Sequence, residues 1–98
     1  MEGRGEQSQP GLASMRRLLQ IAERDTSGSR RVASVLLSLW SGDAFRCDLQ
    51  SLLNLDGNLL RQILLLIFYL HQHGLQLESL LSQEEINPIV EMWGKTLQ

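Results

Sequence analysis

The stretch Asp56–Gly74 reads DGNLLRQILLLIFYLHQHG, and its spacing decides the fold class. Asp56 is a helix N-cap residue and Gly74 a C-terminal stop. Between them Leu59, Ile63, Leu66, Ile67 and Leu70 recur on one face at about 100° per residue, widened by Leu60 and Leu64. Leu65, Phe68 and Tyr69 lie off that face, among Arg61, Gln62, Gln72 and His73. A helix apolar on nearly all sides is usually surrounded by other elements, so this one is expected at the centre of the domain. Its longest apolar run, Ile63–Leu70, is eight residues, against about 20 for a membrane-crossing helix.

The segments on either side carry the same helical period. Leu12, Met15, Leu19 and Ala22 form a stripe, with Arg16, Arg17, Gln20 and Arg24 opposite, and Thr26-Ser27-Gly28 is turn chemistry that ends this helix near Asp25. Ser29 is the expected N-cap of a second helix and Gly42 its left-handed terminator. Val32, Val35, Leu36, Leu39 and Trp40 make its apolar face, and Ser34, Ser38 and Ser41 line the other. Asp48 caps a short helix, Leu49–Leu53. Ser82 and Glu85 form a capping box for the last helix. Pro88 would sit inside that helix, unless Asn87 is the true cap and Pro88 its first residue. Gly94 is expected to end it.

No stretch alternates polar and apolar residues over the length of a strand. The expected fold is therefore all-α, a compact bundle of four to five helices. Residues 1–10, built of Gly, Gln, Ser and charge, are expected to be a disordered arm, and residues 11–98 a single helical domain.

Chemistry is sparse. One cysteine, Cys47, allows no internal disulfide and fits a reducing compartment; the first residues hold no apolar signal-peptide core, so a cytoplasmic location is expected. His71 and His73 project about 200° apart on a helix and cannot grip one metal ion from it. No Gly-rich phosphate loop and no Gly-x-Ser-x-Gly elbow occurs, so no catalytic residue, cofactor or metal site is nominated.

Charge is uneven. Residues 1–31 hold six arginines against four acids, and the remainder three cations against seven acids. Arg30 and Arg31 fall in the first turn of the second helix, where the macrodipole disfavours cations by about 0.3–1 kcal/mol each. An acidic partner, a neighbouring acid such as Asp43 or Asp48, or a bound anion would offset that cost, which makes the two arginines candidates for such a contact.

Two surfaces are candidates for work. The off-face group Leu65, Phe68 and Tyr69, rimmed by Arg61 and Gln72, is either covered within the monomer or an interface for a protein partner or a second copy. The alternative is a helix-turn-helix DNA-binding regulator. In that register Leu49, Leu53, Leu55, Leu60 and Ile63 are buried, and Gly57, Asn58, Arg61 and Gln62 face the major groove. The net acidic balance and the apolar turn of the chain after Gln62 weigh against it.

The pattern RRVAS (Arg30–Ser34), LLSL (Leu36–Leu39), Gly42, Phe45, Asp48-Leu49, Leu52 and Leu55-Asp56 resembles a family of small, functionally uncharacterised bacterial proteins. It covers roughly Ser29 to Trp93. The resemblance implies a bacterial, cytosolic protein borne on plasmids or integrated mobile elements, and it carries no active site. The expected function is that of a non-catalytic accessory protein. It would bind a protein partner or itself and modulate a host or element-encoded complex, such as a defence system.

Overall fold

Local capping sets most helix boundaries. The computed structural model describes residues 10–97. They form α1 (Pro10–Ala22), α2 (Ser27–Trp40), α3 (Leu49–Leu52), α4 (Gly57–His73), α5 (Leu77–Leu80) and α6 (Gln83–Leu97). The chain is all-α, with four long helices and two single turns among the described residues. Apart from Pro10, the expected N-terminal arm lies outside them. Pro10 itself opens α1, where its missing N–H costs nothing and its fixed φ already suits a helix.

The carboxylates of Asp48 and Asp56 accept the amides of Gln50 and Asn58, both at 3.0 Å, at the starts of α3 and α4. Gly74 ends α4 in the left-handed region at φ 62°. The capping box at α6 is reciprocal: the Glu85 amide donates to Ser82 Oγ at 3.2 Å, and the Ser82 amide donates to Glu85 Oε1 at 3.0 Å. Pro88 lies within α6, so Ser82 and not Asn87 is the cap.

Three boundaries differ from expectation. Thr26 rather than Ser29 caps α2: its Oγ1 accepts the Ser29 amide at 3.0 Å, while Ser29 is buried. Gly42 is not left-handed; α2 ends when the chain turns at Ser41, whose carbonyl accepts the amides of Ala44 and Phe45. That turn sends Phe45 into the core. Gly94 does not end α6, which runs on to Leu97, because Gly94 is buried where the Phe45 ring packs beside it. α5 was not legible at all and delivers Leu77 to the interior.

The central position goes to α2 and α1, not to α4. α1 packs chiefly on α4 and then on α2, and α2 packs on α1, α6 and α5, so the long helices stack in the order α4, α1, α2, α6. Val32, Ala33, Val35, Leu36 and Leu37 are all buried. α2 tolerates neighbours on several sides because after Arg31 its polar residues are only serines. α4 carries Arg61, Gln72 and two histidines around its girth, and enclosing an unpaired guanidinium would be costly. It therefore buries one face, Ile63, Leu66 and Leu70, and stays at the edge.

Long-range polar contacts pin this stack. Ser14 Oγ donates to Gln62 Oε1 at 2.6 Å between α1 and α4. The indole Nε1 of Trp93 donates to the Ala22 carbonyl at 2.8 Å, so α6 closes the C-terminal end of α1. The Arg16 guanidinium donates to the Glu85 carboxylate and ties α1 to the start of α6.

Candidate functional site

Because α4 buries a single face, its opposite face is left in solvent. Leu64 is 53% exposed and Phe68 58%, and Ile67 is exposed as well. Leu60 is half-buried beside them. Gly57, Leu60, Arg61, Leu64, Leu65 and Phe68 line an open depression of about 320 Å3 along this face. Leu60, Leu64 and Phe68 are four residues apart and form one ridge along the helix. Arg61 is exposed at its side, as is Gln72 one turn beyond Phe68.

The expected interface group is thus split. Phe68 and its rim residues Arg61 and Gln72 are exposed, whereas Leu65 and Tyr69 are half-buried. The cause is the N-terminal turn of α1: Gly11 lies directly against Tyr69 and the Leu65 carbonyl. Tyr69 also packs on His73, with ring centroids 4.4 Å apart. Leu60 and Leu64, which the period assigns to the edge of the core face, take the places of Leu65 and Tyr69 on the outside. The signal was present: both project well to one side of the Ile63–Leu66–Leu70 direction.

The helix-turn-helix register is not formed. Leu49 is 74% exposed and Leu53 79%, although both must be buried in such a unit, and α3 is a single turn. Gly57, Asn58 and Arg61 are exposed, but the Gln62 side chain is turned to Ser14 in the α1–α4 interface. A reading face that includes Gln62 does not exist.

Arg30 and Arg31 emerge at the other side of the molecule, in a polar recess of about 380 Å3. Four segments build it: Ser27, Arg30, Arg31 and Ser34 from α2; Arg46, Cys47 and Asp48 from the loop after it; Ser51 from α3; and Thr96 from the end of α6. Cys47 is half-buried here against the edge of the core, and its thiol faces the Asp48 carbonyl at 3.8 Å. No carboxylate lies within 4 Å of Arg30, Arg31 or Arg46 among the described residues, where the ion pair is Arg16–Glu85. Neither Asp43 nor Asp48 therefore neutralises the two arginines. Arg46, Ser51 and Thr96 are partners that no local pattern announces.

Glu85 titrates below the usual carboxylate range. The hydrogen bond from Arg16 is the main cause, followed by the Ser82 amide, both of which favour the ionised form. This group is structural and stands apart from both surfaces. His71 and His73 are exposed in the last turn of α4. No helix among the described residues is long and apolar enough to cross a membrane.

A small all-helical protein with an apolar ridge on α4 and an arginine-lined recess is the class that this fold defines. Residues 12–94 match the model of a family of unknown function (DUF7673), and the chain belongs to that family. The match reaches back into α1, beyond the Ser29–Trp93 stretch on which the motif resemblance rests. Comparison with curated proteins and with solved structures gives no match.

Proposed function

We propose that this protein acts by binding rather than by catalysis, docking the outer face of α4 against an apolar helix, in the first instance α4 of a second copy. The observation that carries this reading is that Leu64 and Phe68, both more than half exposed, share one ridge of a 17-residue helix. Covering apolar surface contributes about 25 cal/mol per Å2, and monomers rarely leave such ridges open without a use. Leu60 and Phe68 stand symmetrically four residues before and after Leu64. Two antiparallel copies crossing at Leu64 would set Leu60 of one against Phe68 of the other, the self-complementary arrangement a two-fold dimer requires. Arg61 and Gln72 would supply the polar rim.

The motif resemblance suggests a setting for this binding. In a mobile element, a small helical protein of this kind would modulate a host or element-encoded complex, a defence system among them.

Light scattering on the parent chain and on Leu64→Glu with Phe68→Ala tests the reading. Neither residue is buried, so the variant keeps its helicity by circular dichroism while the dimer mass of the parent falls to the monomer. A parent that stays monomeric at all accessible concentrations overturns self-pairing. A variant as dimeric as its parent excludes this face.

A further inference from the structure

Three arginines line one recess, and no carboxylate lies within 4 Å of any of them among the described residues. With Thr26 as the cap, Arg30 and Arg31 are the fourth and fifth residues of α2 rather than part of a first turn begun at Ser29, and Arg46 lines the same recess from the loop that follows Phe45. Like charges brought together repel, and folding would disperse them unless something else held the geometry or used it. Here the surrounding packing brings them together: α2 is held at the centre of the stack, and the turn at Ser41 that buries Phe45 also places the next residue, Arg46, over the start of α2. The whole chain carries net charge −2, so this local surplus is not a by-product of a basic composition.

The rest of the lining narrows the ligand. Ser27, Ser34, Ser51 and Thr96 add four hydroxyls, which both donate and accept hydrogen bonds. Asp48 is the one carboxylate in the lining; its Oδ1 already accepts the Gln50 amide at 3.0 Å, which leaves Oδ2 available as an acceptor. Guanidinium forks match the paired oxygens of a phosphoryl group. A recess of about 380 Å3 has room for that group and a small body attached to it. A hydroxyl on the ligand would supply a donor to the Asp48 carboxylate, which lines the same recess.

We propose that this recess binds a small, hydroxyl-bearing phosphate ester, with Arg30, Arg31 and Arg46 on the phosphoryl oxygens and Asp48 accepting from a ligand hydroxyl. The site is separate from the α4 ridge, and the proposal does not depend on pairing through that ridge.

Nuclear magnetic resonance titration of the full chain tests it, with inorganic phosphate, glucose 6-phosphate, glucose and sodium chloride as probes. Amides of Ser27–Ser34 and Arg46–Ser51 shift saturably with phosphate and with glucose 6-phosphate, the ester binding more tightly, and stay unmoved by glucose or by chloride at matched ionic strength. Arg30→Gln with Arg46→Gln weakens the ester by at least about tenfold, the loss expected from removing charge-assisted hydrogen bonds. Arg17→Gln, an exposed arginine of α1 outside the recess, leaves it unchanged. Asp48→Asn, which keeps an oxygen for the Gln50 amide, narrows the gap between ester and inorganic phosphate. Absence of a saturable shift in the parent, an equal shift with chloride, or the same loss from Arg17→Gln overturns the proposal. Binding only to vesicles containing phosphatidic acid overturns the assignment to a soluble ester.

Discussion

Gly11 of α1 rests against Tyr69 of α4 so closely that a methyl group on its α-carbon would lie 2.7 Å from Tyr69 Cγ and 3.1 Å from the Leu65 carbonyl oxygen. This crossing decides which part of α4 is available to a partner. It covers Leu65 and Tyr69 in part and leaves Leu64 and Phe68 outside, so the working ridge is turned from the one that periodicity nominates.

Gly11→Ala separates two opposed effects. Alanine favours a helix by about 0.8–1 kcal/mol over glycine. At this crossing the added methyl meets the root of Tyr69 and backbone, neither of which swings aside, and overpacking costs about 1–3 kcal/mol. Urea unfolding is expected to show a net loss of stability at unchanged m-value. A gain would mean that α1 does not cross α4 at this glycine.

Trp93→Phe removes the donor to the Ala22 carbonyl and keeps an aromatic ring. The carbonyl belongs to the last turn of α1 and is left without that donor, a loss of about 1 kcal/mol. For a domain of this size that corresponds to a fall of about 4–8 °C in thermal midpoint. An unchanged midpoint in a calorimetric scan would show that water replaces the indole without cost.

The Arg16–Glu85 pair links stability to pH. Glu85 has a folded pKa below its ordinary value, so its contribution is present above the unfolded pKa and is lost as pH falls through the lowered folded value. Arg16→Gln removes the main cause, and the Glu85 carboxyl then titrates closer to the ordinary value of 4.5 in a carbon-detected titration. The difference between parent and variant shrinks with added salt, because both side chains are partly in solvent. A Glu85 titration identical in the two chains would show that the Ser82 amide alone holds the pKa down.

What the sequence determined by itself were the features made by neighbours along the chain. The caps at Asp48 and Asp56, the reciprocal Ser82–Glu85 box and the left-handed Gly74 join groups two to five residues apart, and such contacts form wherever the helix ends up in space. The stripe of Met15, Leu19 and Ala22 was likewise readable, because a helix carries its apolar period with it. Periodicity states that a face is apolar but not what will cover it. Only the tertiary structure put α2 rather than α4 at the centre: α2 buries Val32, Ala33, Val35, Leu36 and Leu37, and after Arg31 its polar residues are only small serines, whereas α4 carries larger polar groups around its girth. Gly42 and Gly94 read as stops; the chain makes one an ordinary turn residue before the buried Phe45, and the other is buried within α6 in contact with the Phe45 ring. The recess around Arg30 and Arg31 is the strongest case. Arg46 and Thr96 lie 16 and 66 residues beyond Arg30 in the chain, and no local interaction specifies a meeting that depends on how α2, α3 and α6 stack.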